Sequence, residues 1–136
     1  MSVTTDGKLN RANVFTALGA VGCLLGVATG AFGAHALEQA LPPDLLGTWE
    51  KAVDYLFVHS LGLIMVGILD RFEPRSCHQW SGGLMLAGIV LFSGSLFALV
   101  LSGLTALGMI TPIGGVSFLL AWLALGLCYL RSGRHP

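Results

Sequence analysis

The sequence predicts an all-α protein, a transmembrane bundle of four helices that run up and down. Composition gives the first indication: hydrophobic residues make up 54% of the 136 residues and charged residues only 10%, whereas a soluble domain carries about 25% charged residues. Four stretches are also apolar over the roughly 20 residues that a helix needs to cross a bilayer. None of them alternates like a barrel strand. Because only helices and closed barrels satisfy their backbone in lipid, we predict one integral membrane domain over residues 1–136.

The predicted spans cover residues 12–36, 49–69, 80–101 and 107–130. The fourth span carries Pro112 in its first turns, where a missing N–H is tolerated. The second span is the least regular, because three charged residues lie near its start and His59 lies near its middle. A re-entrant or interfacial helix is the alternative for this segment.

The basic residues favour four spans over three. Six of the seven lie before the first span, between the second and third, or after the fourth: Lys8, Arg11, Arg71, Arg75, Arg131 and Arg134. Four spans place all six on one side of the membrane and leave Lys51 alone on the other. By the positive-inside rule the side with six basic residues is cytoplasmic. We therefore expect both termini in the cytoplasm.

A secretory signal peptide is the alternative to the first span. Lys8 and Arg11 resemble the charged start of such a peptide, and the A-H-A run at residues 34–36 resembles its cleavage site. The apolar run, however, is longer than the hydrophobic segment of a signal peptide, which has roughly 7–15 residues. We predict that this segment is retained as a span.

A strip of small residues follows one face of the first span. Gly22, Gly26, Gly30 and Ala34 recur at four-residue spacing, which lets another helix approach closely in lipid. We expect a helix-packing contact here. The partner helix belongs either to the same chain or to another copy.

The three cysteines, Cys23, Cys77 and Cys128, are scattered and show no C-x-x-C spacing. Such a set argues against a disulfide framework or a metal site. We expect all three to act as small apolar residues of the core.

Polar residues in the outer half of the spans form one candidate site. We expect this intramembrane cluster to consist of His35, Asp54, Tyr55, His59, Ser93 and Ser95. His59 lies about 15 Å into the second span, at a depth where ionisable residues are costly and often functional. The favoured interpretation is a hydrogen-bond network between helices, with each bond worth about 0.6 kcal/mol and at most roughly 2 kcal/mol. A small polar pocket open to the outer face is the alternative.

The sequence carries no catalytic motif, so we expect no enzyme, no catalytic residue and no cofactor. It has no H-E-x-x-H, no G-x-S-x-G and no phosphate-binding loop. His35 and His59 are two potential metal ligands where a site needs three or four, so we expect no metal. A formal net charge of zero argues against a nucleic-acid partner.

Several sequence blocks, spread over roughly residues 14 to 130, resemble one protein family. They are G-A-F-G-A-H-A-L at residues 30–37, the pattern through Trp49, Ala52, Val53, Tyr55 and His59, F-S-G-S-L-F at residues 92–97, and G-M-I-T-P-I-G-G-V-S-F at residues 108–118 followed by Trp122. The chain is thereby similar to the membrane family of domain of unknown function 423, the YgdD-like proteins. The resemblance implies a small, multi-pass protein of the bacterial inner (plasma) membrane. It implies no reaction.

Two functions are compatible with these observations. The favoured one is a non-enzymatic structural or accessory component of the membrane, whose partners are the lipid bilayer and either further copies of the chain or a larger membrane complex. The alternative is a small oligomeric transporter or channel with a polar site near His59, open to the outer face. A structure in which side chains seal His59 and leave no cavity beside it removes that site.

Overall fold

The computed structural model describes residues 10–133, which form four long helices and, within that range, no strand. The helical segments are α1 (Arg11–Phe32), α2 (Pro43–Phe72), α3 (Ser76–Gly88), α4 (Ser95–Ser102) and α5 (Thr111–Ser132), with π-helical turns at Gly33–Leu37 and Ile89–Gly94 and a 3₁₀ helix at Thr105–Met109. The second π-helical turn joins α3 to α4 in one continuous helix. All four long helices are apolar and long enough to cross a membrane, so the predicted all-α, four-helix architecture is confirmed.

The helix ends follow local chemistry. At the start of α1 the Asn10 side chain accepts a hydrogen bond from the backbone N–H of Ala12. Prolines stand in the first turns of α2 and α5, where no intrahelical hydrogen bond is lost. Gly103, with a φ of 73°, ends α4 in the left-handed region that favours glycine. Each of these features depends only on residues next to the helix end.

The helices pack as a bundle in which α1 lies mainly on α2, α2 also contacts α3 and α4, and α5 lies on α3. A core between α2, α3 and α5 is formed by Leu63, Val66, Met85, Ala121 and Leu125. The up-and-down course gathers one end of every helix into what we call the basic end, with Arg11, Arg71, Arg75 and Arg131. Lys8 and Arg134 lie outside the described residues.

The contact between α1 and α2 is made through glycines. A Cβ at Gly19 would lie 2.6 Å from the carbonyl oxygen of Ser60, and one at Gly26 would lie 2.9 Å from the Phe57 ring. Gly22 is likewise buried, against Ser60. Ala34 is exposed and lies off this contact. The reason is geometric: each four-residue step overshoots a helical turn by about 40°, so Ala34 points about 120° away from Gly22.

Trp49 is buried inside the bundle rather than placed in a lipid-facing aromatic belt. Its indole Nε1 donates a hydrogen bond to the Thr29 carbonyl at 2.8 Å. Its ring packs edge-on against Phe97, with the ring centroids 4.6 Å apart. A Cβ at Gly33 would lie 2.7 Å from the indole. The absence of a side chain at Gly33 therefore makes room for the Trp49 indole between α1 and α2.

The expectation that no cysteine forms a disulfide is wrong for one pair. Cys77 and Cys128 form a disulfide with their Cα atoms 6.0 Å apart, a usual separation for this bond. The bond joins the first turn of α3 to the C-terminal part of α5. Because these helices are antiparallel neighbours, residues far apart in sequence meet at their ends. Cys23 on α1 is half-buried and free.

Candidate functional site

The centre of the candidate site is His59, in the middle of α2. Its side chain is only 4% exposed. The ring Nδ1 lies 2.8 Å from the Tyr55 carbonyl oxygen, and Nε2 lies 3.0 Å from the indole Nε1 of Trp122 on α5. Both ring nitrogens therefore have a partner, one within α2 and one across the bundle.

These partners determine the tautomer of His59. An indole N–H can only donate a hydrogen bond, so Nε2 of His59 accepts it. A carbonyl oxygen can only accept, so Nδ1 carries the proton and donates it to Tyr55. The arrangement fits a neutral imidazole with both nitrogens satisfied. A second proton on Nε2 would face the Trp122 N–H and break that bond.

Aromatic rings surround the imidazole and form what we call the aromatic cluster, which consists of Tyr55, His59, Phe92, Phe118 and Trp122. The His59 ring stacks on Phe118 with the centroids 3.4 Å apart and the planes 12° apart. Tyr55 stacks on Phe92 with the centroids 4.3 Å apart. Tyr55 and His59 are one turn apart on α2, and Phe118 and Trp122 are one turn apart on α5. The cluster is thus two facing i, i+4 pairs with Phe92 beside them.

A cavity of about 690 Å³ lies beside this cluster, between α2 and α5. Most of its lining is apolar, and the Asp54 carboxylate is its charged group. Asp54 and Pro112 lie toward the ends of α2 and α5 opposite the basic end, so the cavity occupies that half of the bundle. The cavity exists because the α2 and α5 backbones stay apart and meet through large side chains.

The structure brings three members of the predicted polar cluster to this cavity: Asp54, Tyr55 and His59. Asp54 is exposed and forms no ion pair within residues 10–133. His35 is exposed on the π-helical turn that follows α1, and it does not line the cavity. His35 therefore stands apart from the three cluster members that meet at the cavity.

The two predicted serines serve helix contacts instead. Ser93 donates to the Ala52 carbonyl of α2 at 2.8 Å. The Ser95 hydroxyl lies 2.7 Å from the Thr111 hydroxyl of α5. Two further serines behave alike, since Ser81 donates to Ala121 and Ser117 to Leu84, both between α3 and α5. These four serine hydroxyls thus tie neighbouring helices together.

A second cluster of chemically active side chains lies at the basic end, and sequence reasoning missed it. The ligand atoms of Cys77, His78 and Cys128 all lie within 4.8 Å of one another. His78 is fully buried, with Nε2 3.0 Å from the Tyr129 hydroxyl and Nδ1 3.5 Å from an Asp70 carboxylate oxygen. The sequence-based expectation rested on His35 and His59, and nothing in local spacing links residues 78 and 128.

Trp122 and Phe118 were also missing from the predicted site, although a signal for them exists. They are four residues apart on α5, the spacing at which side chains share a helix face. This spacing identifies Phe118 and Trp122 as a pair that can pack against the Tyr55–His59 pair of α2. Choosing this face of α5 over the others required knowledge of how the helices pack.

Comparisons with known proteins place the chain in a family. The family model described as "Protein of unknown function (DUF423)" matches residues 29–115. A UPF0382 membrane protein of Staphylococcus epidermidis is 45% identical over 118 residues, which is 87% of this chain and 96% of the relative. The UPF0382 membrane protein YwdK of Bacillus subtilis is 46% identical over 113 residues, 82% of this chain and 92% of the relative. No solved structure matches. With a family match over more than half its length and relatives this similar, the chain belongs to the DUF423 family of membrane proteins.

Proposed function

We propose that this protein is a non-enzymatic structural or accessory component of the bacterial plasma membrane. The observation that carries the proposal is the satisfied state of His59, whose two ring nitrogens are both hydrogen-bonded inside the bundle. An ionisable side chain at this depth is a functional candidate by default. Here it bridges α2 and α5, and the serines of the spans bridge other helix pairs in the same way.

We further propose that the basic end faces the cytoplasm. Arg11, Arg71, Arg75 and Arg131 gather at this end, and cytoplasmic ends of membrane proteins are enriched in such residues. A reporter active only outside the cytoplasm, fused after Pro136, should give no signal. The same reporter inserted into the segment between the π-helical turn at Gly33–Leu37 and α2 should be active. A signal from the first fusion would overturn this orientation.

The cavity beside His59 favours a second candidate function, the binding of a small amphipathic cation as part of an oligomeric transporter or channel. Aromatic faces attract organic cations, and Tyr55, Phe118 and Trp122 line the cavity together with one carboxylate. That carboxylate, on Asp54, has no cationic partner within residues 10–133. A ligand of this class would place its charge near Asp54 and its apolar part against the rings.

One binding experiment separates the two functions. Tetraphenylphosphonium is titrated against the full-length protein in detergent, with binding followed by calorimetry. The Asp54→Asn variant removes the charge in the cavity, and the matched control Asp44→Asn removes a charge in the first turn of α2, outside this cavity. Saturable binding that Asp54→Asn weakens by about tenfold, with Asp44→Asn unchanged, would establish the binding function; tenfold corresponds to about 1.4 kcal/mol. Absence of saturable binding in native protein supports the structural function.

A further inference from the structure

The basic end of the bundle carries a cysteine pair beside an accessible cavity. The disulfide of Cys77 and Cys128 joins α3 to α5, and both residues are half-buried rather than sealed. A cavity of about 420 Å³ lies against both residues, with Trp80 and Arg131 also in its lining. A small molecule in this cavity would therefore contact the disulfide directly.

Two arginines supply positive charge around the pair. The Arg75 guanidinium pairs with Glu73 through Nη2, and its Nη1 lies 3.9 Å from Cys128 Sγ. Arg131 lines the cavity itself. When a disulfide is cleaved by exchange, one sulfur leaves as a thiolate, and a neighbouring cation stabilises that negative charge. Cys128 is thus the better leaving sulfur, which makes Cys77 the sulfur that is attacked.

We propose that Cys77 and Cys128 form a thiol–disulfide exchange site for a small thiol that bears a carboxylate. The carboxylate pairs with Arg131 in the cavity, and the thiolate attacks Cys77. A mixed disulfide forms on Cys77 as the Cys77–Cys128 bond breaks and Cys128 leaves as a thiolate beside Arg75. A second thiolate attacks the small-molecule sulfur of the mixed disulfide, so that the small disulfide departs and Cys77 leaves as a thiolate. Two electrons pass from two small thiols to the pair, and the reverse steps reoxidise it.

The surroundings of the pair allow it to open without loss of the helix contact. His78 and Tyr129, the residues that follow Cys77 and Cys128, are hydrogen-bonded to each other at 3.0 Å. One turn further along α3, Ser81 donates to the Ala121 carbonyl of α5 at 2.9 Å. These bonds hold α3 against α5 when the sulfurs are reduced. The proposal is independent of the function proposed for the His59 region, because no residue of the aromatic cluster takes part.

The test is a redox titration of the full-length protein in lipid nanodiscs. The protein is equilibrated with mixtures of reduced and oxidised glutathione, and its free thiols are counted by alkylation and mass spectrometry. Cys23 is the internal reference, since it is free in the oxidised protein. We expect the thiol count to change by two in one step that depends on the glutathione ratio as a two-electron couple.

Three results would overturn the proposal. The first is a pair that stays bonded in a large excess of reduced glutathione. The second is a pair that stays reduced in a large excess of oxidised glutathione. The third is reduced protein that carries one zinc per chain in elemental analysis without added metal, since Cys77, His78 and Cys128 would then be metal ligands.

Variants test the two assigned roles on the same protein. Cys128→Ser should accumulate a glutathione adduct on Cys77 when it is treated with oxidised glutathione, because no resolving thiol remains.

Arg131→Ala should slow reduction of the native pair by glutathione about two- to fivefold, the effect of losing one partly exposed ion pair. Reduction by uncharged 2-mercaptoethanol should not change. Arg71→Ala is the matched control, because Arg71 is an exposed arginine of the basic end that does not line the cavity. Equal slowing by Arg71→Ala, or equal slowing with both thiols, would overturn carboxylate recognition.

Discussion

Between α1 and α2 the helix backbones touch through glycines, whereas between α2 and α5 the backbones stand apart and large side chains fill the gap. The first contact contains Gly19, Gly22 and Gly26, and it leaves no room for a methyl group at Gly19. The second contains His59 and Trp122, joined by a hydrogen bond beside a cavity. One helix, α2, thus makes a close backbone contact on one side and a contact through side chains, beside a cavity, on the other. Of these two contacts, the one between α2 and α5 is the one that leaves room for a ligand.

The largest effect is expected where backbones touch. Gly19→Val places a branched side chain against the Ser60 carbonyl oxygen, which a Cβ at Gly19 would approach to 2.6 Å. Backbone cannot move aside as a side chain can, so we expect a loss of about 3 kcal/mol in the free energy of unfolding. Denaturation in mixed detergent micelles measures it. Gly126→Val on α5 is the control, because nothing lies within 4 Å of a Cβ there. Equal losses in both variants would contradict the close backbone contact at Gly19.

An intermediate effect is expected at the hydrogen bond between α2 and α5. Trp122→Phe keeps an aromatic ring but removes the N–H that His59 Nε2 accepts. A buried acceptor without a donor costs about 1–3 kcal/mol, and unfolding in micelles should show a loss in that range. A double-mutant cycle with His59→Leu should give a coupling energy of about 0.6–1.7 kcal/mol. Additive losses in the cycle would mean that the two side chains do not stabilise each other.

The smallest effect on stability is expected at the cavity. Gly115→Ala adds a methyl group whose nearest neighbour outside its own helix, an atom of the Phe92 ring, lies 3.8 Å away, so the free energy of unfolding should change by less than about 0.5 kcal/mol. Gly114→Ala, one residue earlier, puts the methyl group 2.8 Å from a Leu91 backbone atom and should cost about 1–3 kcal/mol. Thermal unfolding of the two variants side by side makes the comparison. Similar melting temperatures would contradict the structure here.

Features set by a single helix could be predicted from the sequence. Four apolar runs of membrane length indicated four helices, and the structure contains them. The depth of His59 followed from counting residues along one helix, and so did its proximity to Tyr55 one turn away. These inferences use only the geometry of a single helix and the apolar character of the surrounding lipid. None of them depends on which helices become neighbours.

Features set by helix pairing could not be predicted. The partner of His59 is Trp122, 63 residues away in sequence, and the partner of Cys77 is Cys128, 51 residues away. Several arrangements of four helices satisfy the same apolar pattern, and each brings different faces together. Trp49 shows the same limit, because its position at the end of an apolar run is equally typical of a lipid-facing belt and of a buried site.

The π-helical turn at Ile89–Gly94 has a consequence for how this chain tolerates changes in length. Such a turn holds one more residue than an α-helical turn, which rotates everything after it by about 100°. That rotation brings the Ser95 hydroxyl beside Thr111, while Ser93, within the turn, bonds α2. A single-residue deletion here would turn the π-helical turn into a regular α-helical one and would point Ser95 away from α5. In this span the number of residues determines which face of the helix meets α5, and a substitution does not change that number.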